Sequence, residues 1–466
     1  MKSILFRQLA VVRIVFLALC CCLLLPGYLS AQCTVFKPVA VNEARIRSLT
    51  AELETRYKTT IAALPAANRK DYEAIYKERW ENIKSILDKQ EVYTAPFAQS
   101  YLDKIAKTII AANPVLKEEK LHLFFSRSAV PNASFIGEGV ILFNMGLFST
   151  LSDESQVAFV LCHELAHYYL RHSDNSISRY VTTMNSKEVQ SELKQIKNSE
   201  FNKKTQLEKL MKGISFDSRR HSRDHESEAD SMGLVFLSRT NFDLNAAITT
   251  LELLDNVDED TLDAAKALQK LFDAKNYPFK KKWISKKEGL LGGHAVLEKD
   301  EALADSLKTH PDCRRRIQTL QPFVKAVPQN NRLANPIDKN TFDSLRITFR
   351  YEPIAYEFER EHYTRSLYAA IKQLGDFPED PFLITQIGKI FNSCYDAQQE
   401  HTLGKRIDLP APQNSSGYNT VLQMVQNLYA ADFPAIGFNF LEQYQTKFGN
   451  CTVFNTELEK ARQRYK

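Results

Sequence analysis

The densest chemistry in this sequence is a five-residue run, His163-Glu164-Leu165-Ala166-His167. Helical residues four apart share a face. Both imidazoles can therefore reach one cation, and zinc takes imidazole nitrogen at about 2.0–2.1 Å. Glu164 lies beside that face, where its carboxylate can take a proton from water whose pKa zinc lowers towards ~7. Two imidazoles are not enough, because a catalytic zinc takes three protein ligands and keeps one position open. The run alone also arises by chance, on the order of once in a hundred chains of this length. A second acidic stretch, Glu226-Ser227-Glu228-Ala229-Asp230, supplies the missing carboxylate 59 residues after His167. Asp230, one turn beyond Glu226, is placed to accept a hydrogen bond from a ligand imidazole and fix its tautomer. The competing reading of this stretch is a solvated acidic helix.

Both motifs need helices. Ser152 with Asp153 and Glu154 makes a helix start with acid in the first turn, and nothing interrupts the helix from there to His172. A further helix is expected over 224–239 and another from Asn245 to about Leu254. Residues 186–213, rich in Lys, Glu and Gln, read as a solvated amphipathic helix. Upstream, residues 41–115 are helical by their spacing of Ile46, Leu49, Leu53 and Tyr57, then Tyr72, Ile75, Trp80, Ile83 and Ile86. Leu121–Phe125 and Gly139–Asn144 are strand candidates on either side of a Pro131-Asn132 turn. The second strand is expected to offer a sheet edge to an extended peptide. Lys280 to Gly293 reads as a mobile basic loop. Residues 326–340, with Pro328 and Pro336, mark the expected domain boundary. Beyond it, Tyr363–Leu374, Phe377-Pro378-Glu379-Asp380 and the run through Ile387 resemble a tetratricopeptide-type hairpin, echoed weakly from Leu422 to Tyr444. A plain helical packing domain is the alternative.

On these residues the sequence resembles the gluzincin metallopeptidases that include HtpX-like and CaaX-prenyl-protease-like enzymes. The likeness runs from about residue 90 to 325. It is carried by Pro131-Asn132-Ala133, Gly139 to Leu147, the His163–His167 helix through Arg171-His172, Glu226-x-x-Ala229-Asp230, and Thr309-His310-Pro311 with Arg316-Ile317. The resemblance implies a mainly α fold with a small β-sheet, of the zincin α+β type, followed by a helical C-terminal domain. It also implies one Zn2+ held by His163, His167 and Glu226, with Glu164 as base and Asp230 behind a ligand. His310 and Arg316 would approach the metal or the tetrahedral intermediate. Ser134–Glu138 follows the family's turn only loosely, and the stretch 256–300, a surface loop or else a lid carrying His294, is longer than the family suggests. The substrate expected is an extended or unfolded polypeptide, with a protein partner at the C-terminal helices as a further expectation.

The rest of the chain bounds the setting. With 466 residues, 44% hydrophobic and 25% charged, the composition is globular and excludes a disordered chain or a many-span membrane protein. Lys2, Arg7 and Arg13 precede twelve apolar residues, Ile14–Leu25, then Pro26-Gly27 and Leu29-Ser30-Ala31. That is the layout of a secretory signal peptide, with cleavage expected after Ala31 and lipid anchoring through Cys33 as the competing reading. The expected parts are thus 1–31 leader, 32–325 metallopeptidase domain and 326–466 helical domain. The formal charge of +5 falls to +2 without the leader's three basic residues, which gives no bulk reason to expect nucleic acid. No later stretch has the ~18 apolar residues of a membrane helix, so an exported protein, periplasmic or secreted, is expected. Of eight cysteines five remain after the leader. Cys162 reads as a buried free thiol, and Cys394 and Cys451 as able to pair. His122, His362 and His401 read as surface or structural, His221 and His225 as surrogate ligands at most, and His172 as a packing residue. Tyr168 and Tyr169 line the cleft or the core. The main rival to an endopeptidase is a latent zinc-containing binding or chaperone-like protein whose helical domain holds partners; a purely structural zinc domain is a third reading.

Overall fold

A computed structural model describes residues 36–117, 121–199, 202–257, 260, 262–285 and 312–465. The expected leader, Cys33, His294 and His310 lie outside the described residues. Among the described residues no helix is long and apolar enough to cross a membrane.

Three helices open the chain: α1 (Glu43–Ala62), α2 (Arg69–Asp88) and α3 (Pro96–Ala112). Their apolar stripes are the ones the spacing marks. Leu49 and Leu53 of α1 meet Trp80, Ile83 and Leu87 of α2 in one buried cluster, with Tyr57 stacked on Trp80 at 5.5 Å. α1 starts where the Asn42 side chain accepts the Arg45 N–H, and α3 where Pro96 occupies the first turn.

The sheet has three strands, β1 (His122–Ser126), β2 (Ala133–Gly137) and β3 (Val140–Asn144), in the order β1-β3-β2. β1 runs parallel to β3 and β2 antiparallel to it. This corrects the expected edge. The Gly139–Asn144 strand is central and paired on both sides; the edge belongs to β2, in the stretch that reads as a loose turn. The Pro131-Asn132 turn leads into it. Glu138 and Gly139, at φ 49° and 74°, close the β2–β3 hairpin in two residues. Glu138 can hold this left-handed conformation because its side chain is locked: Arg79 Nη2 donates to Oε1 at 2.7 Å and Thr60 Oγ1 to Oε2 at 2.9 Å.

After the short α4 (Met145–Thr150) comes α5 (Glu154–Tyr169), which carries the central motif. Asp153, one residue past the expected start, caps it by accepting the Gln156 N–H, and Gln156 Oε1 accepts the Ser152 N–H in return. The helix does not run on to His172. Arg171 takes φ 55°, the chain turns, and His172 begins α6 (His172–Met184). α7 (Lys187–Asn198) follows, and the regions 186–213 and 224–239 are then joined differently from the expectation. One 36-residue helix, α8 (Lys203–Ser238), spans both the polar stretch and the acidic motif. α8 packs along α5, with Gly233 so close that a Cβ there would meet the His163 backbone nitrogen at 3.0 Å. α9 (Asn245–Val257) and α11 (Cys313–Ala326) complete this body.

Two large cores result, and they do not divide at residue 325. The first, around α3, α5, α8 and the sheet, also takes Phe342, Leu345 and Phe349 from α12 (Lys339–Glu359). The second is built from α13 (Tyr363–Asp376), α14 (Pro381–Gln399), α15 (Ser416–Asn427), α16 (Asp432–Glu442), the one-turn α17 (Gln445–Phe448) and α18 (Thr452–Tyr465). It also takes Leu268 and Phe272 from α10 (Ala264–Phe272), and Trp283. The described part of the 256–300 stretch is therefore core rather than lid. The basic stretch at Lys280 is pinned there, with Trp283 fully buried and Lys280 paired with Asp432. The expected joint at Phe377–Asp380 does separate two helices, α13 and α14. Cys394 is a buried free thiol and Cys451 is disulfide-bonded elsewhere, so these two do not pair. Cys162 is a buried free thiol, as its helical setting suggests.

Candidate metal centre

α5 supplies two imidazoles from one face and α8 supplies the carboxylate facing them. His163 Nε2 lies 3.0 Å from His167 Nε2, and Glu226 reaches both rings, Oε2 at 3.5 Å from His163 and Oε1 at 3.2 Å from His167. One ligand atom from each of the three residues falls within 4.8 Å of the others, and among the described residues this is the one such group.

The outward nitrogens show which lone pairs face inward. His163 Nδ1 is 2.9 Å from Asp230 Oδ1. A carboxylate oxygen only accepts, so Nδ1 carries a hydrogen, and in the neutral ring that a metal needs Nε2 holds the lone pair. His167 Nδ1 is 3.0 Å from His172 Nδ1, and His172 Nε2 is 3.0 Å from Glu228 Oε2. Lone pairs from two imidazoles and an anionic carboxylate, brought this close, repel unless a cation or a proton sits between them. Two nitrogens and one oxygen are a donor set that a borderline divalent ion such as zinc accepts.

The electrostatics point the same way. Burial opposes a charged imidazole at His163, but hydrogen bonds with Asp230 and Glu226 prevail and push its pKa up to about 10. The site demands positive charge there. Burial likewise opposes charge on Glu226, yet the His163 and His167 imidazoles hold its carboxyl well below the usual range. Burial, with a lesser push from the neighbouring imidazoles of His167 and His225, takes His172 down to about 4, so this ring is neutral near pH 7.

Glu164 is buried beside the cluster and accepts the Phe135 backbone N–H through Oε2 at 2.8 Å. Burial pushes its pKa up, against the opposing effect of His163 and His167. The Phe135 amide is available because of the register of β2. Asn144 N–H donates to Asn132 O, so Ser134, opposite Leu142, continues the ladder, and the peptide groups of Ala133 and Phe135 face outward. Asn132 to Phe135 form one wall of a cleft of about 340 Å³ that contains the histidine cluster. Leu147, Phe159, Val160, Leu251 and Leu254 give it an apolar end.

Arg316, from α11, faces two carboxylates. Its Nε and Nη2 donate to the two oxygens of Asp230 at 2.6 and 2.8 Å, and Nη1 lies 3.3 Å from Glu226 Oε2. It is 4% exposed. Asp230 is thus clamped between Arg316 and His163, and the guanidinium lies beside the Glu226 carboxylate at the wall of the cleft.

Comparison with known proteins identifies the domain. The family model described as Peptidase family M48 matches residues 96–324, a stretch that holds the cluster, the sheet and Arg316. Residues 96–324 are an M48 domain. Two curated relatives match this chain. The mitochondrial metalloendopeptidase OMA1 of Schizosaccharomyces pombe is 30% identical over 190 residues, 40% of this chain and 51% of that protein. A putative beta-barrel assembly-enhancing protease of Vibrio cholerae is 28% identical over 180 residues, 38% of this chain and 36% of that protein. The matched stretch is thus about half the length of the first relative and about a third of the second.

Within the M48 domain, helix spacing alone marks His163, Glu164, His167, Glu226 and Asp230. The edge strand β2, the Phe135 amide and the contact of His172 with His167 are not marked by it. The only sequence trace of β2 is Ala133 to Ile136 between two turn signals, Pro131-Asn132 and Gly137-Glu138-Gly139. Two further histidines take structural partners: His122 lies between Glu52 and Arg56, and His362 bonds Glu357. His225 stacks on His172 with centroids 4.2 Å apart and takes no place in the cluster. Tyr168 packs edge-on to Phe135 and Tyr169 to Phe236.

Proposed function

We propose that this chain is a zinc-dependent metalloendopeptidase that hydrolyses peptide bonds in extended or unfolded polypeptides. His163, His167 and Glu226 would hold the metal. When bound, it supplies the Lewis acidity that makes water a nucleophile near neutral pH. Glu164 takes the proton from the attacking water and returns it to the leaving amine. Its raised pKa suits a group that must both accept and release that proton. The outward peptide group of Ala133 and the Phe135 carbonyl pair with the substrate backbone, so that an extended chain adds to β2 and its scissile carbonyl lies over the cluster. Arg316 and Asp230 keep the ligands oriented.

The observation that carries this reading is the convergence of two imidazole lone pairs and Glu226 beside a buried carboxylate on an open strand edge. We further propose that the protein works outside the cytoplasm. The leader-like N-terminus supports this, as does the disulfide at Cys451, a bond that persists in oxidising compartments. The name of the Vibrio cholerae relative makes unassembled β-barrel chains the first substrate class to try. The helices beyond residue 360 would hold a protein partner or the rest of a long substrate.

The test is cleavage of a denatured protein by the purified full chain, with and without a chelator, beside the Glu164→Gln variant. Cleavage that the chelator abolishes and zinc restores is the expected result. Bound metal without cleavage would favour the binding protein instead.

A further inference from the structure

We propose that His172 is a positioning residue for His167: it accepts the Nδ1 hydrogen of His167 and donates its own Nε2 hydrogen to Glu228, so that His167 turns its Nε2 lone pair inward. The inference rests on the reading that His167 is a metal ligand, and it adds a member that motif spacing does not include.

The hydrogen-bond assignments follow from the two ends of the chain of contacts. Glu228 Oε2, 3.0 Å from His172 Nε2, only accepts, so Nε2 of His172 carries a hydrogen. A His167 ring that holds a metal through Nε2 carries its own hydrogen on Nδ1, which faces His172 Nδ1 at 3.0 Å. Two like nitrogens at that distance share one hydrogen, so His172 Nδ1 accepts it.

The backbone makes this contact on purpose-built geometry. Arg171 sits at φ 55°, a conformation a side chain of its kind rarely adopts, and it ends α5 so abruptly that the first residue of α6 folds back under the last ligand turn. His172 is 4% exposed, and its ring plane is fixed by the parallel ring of His225, 7° away in tilt. The two ligands are therefore held differently. His163 meets a carboxylate, Asp230, directly. His167 meets a neutral ring backed by Glu228, whose side chain is 61% exposed. Carboxylate contact raises the basicity of the His163 imidazole as a ligand.

The test uses the full chain labelled with 15N-histidine, together with His172→Phe, which cannot accept, and His172→Asn, whose amide oxygen can stand near the Nδ1 position. Long-range proton–nitrogen spectra of the zinc-loaded protein should show His172 protonated on Nε2 and not on Nδ1. Zn2+ affinity, measured by competition with a chelating dye, should fall 10- to 100-fold in His172→Phe and recover most of that loss in His172→Asn, with metal-free unfolding temperatures matched between the two. A hydrogen on Nδ1 of His172 in the zinc-loaded protein, or unaltered Zn2+ affinity in His172→Phe, would overturn the proposal. An unmodified chain that binds no Zn2+ would overturn the metal reading itself, whereas Zn2+ bound equally well by His172→Phe would overturn this proposal alone.

Discussion

At the scale of single residues, the cluster is ordered by what each group can donate. Asp230 satisfies His163 and Arg316 at once, and it is 1% exposed. Replacing it with Asn keeps the shape but removes the anion, leaving Arg316 buried against one weakened acceptor. Breaking a buried pair in this way costs about 3–5 kcal/mol. Asp230→Asn should therefore lower the unfolding midpoint as well as metal affinity, which calorimetry and metal titration would separate. Glu164→Gln has the opposite signature. It retains the Phe135 contact through its amide oxygen and should keep metal and stability while losing nearly all cleavage. Undiminished proteolysis in that variant would end the proposed mechanism. Legibility in the sequence divides along the same line. His163 and His167 can be read, with Glu164 beside them, because residues four apart on a helix share a face, and Glu226 with Asp230 for the same reason. The pairing of His172 with His167 depends on one left-handed residue, Arg171, that no periodicity announces. The placement of Arg316 depends on how α11 packs.

At the scale of elements, the site exists because α5 and α8 touch. Gly233 allows that approach, since a Cβ would fall 3.0–3.1 Å from the His163 backbone. Gly233→Val should push the helices apart, weaken metal binding and lower the unfolding temperature by several degrees, in line with about 1–3 kcal/mol for overpacking. The start of α5 is braced in turn by the stretch that sequence marks as a boundary. Buried Glu154 accepts the N–H groups of Ile337 and Asp338 at 2.7 Å each, and Ser155 Oγ donates to Leu333 O. Glu154→Ala would leave two backbone donors unpaired, at about 1–3 kcal/mol each where water cannot reach them. Hydrogen exchange at Ile337 and Asp338 should accelerate in that variant. The helices of this body are legible because their apolar residues recur at helical spacing. The β2 strand is not, because its inner face is shared with α5 and its residues Ser134 to Ile136 are only half buried, so no alternation shows.

At the scale of the whole molecule, the two cores are laced together. α12 gives Phe342, Leu345 and Phe349 to the metal-bearing body, and residues 264–283 give Leu268, Phe272 and Trp283 to the C-terminal one. A fragment ending at residue 325 should consequently fail to fold as the full chain does, losing three aromatic or aliphatic anchors from one core and exposing three from the other. Cooperative unfolding of that fragment at the full chain's temperature would contradict this. Sequence marks Pro328 and Pro336 but cannot show that the surrounding stretch is bound on both sides. The central claim is that His163, His167 and Glu226 jointly hold one catalytic cation, and metal analysis of the purified chain beside Glu226→Ala tests it most directly. One zinc per unmodified chain and its loss from the variant is the expected result; an unmodified chain without stoichiometric zinc, or a variant that keeps it, would contradict the account.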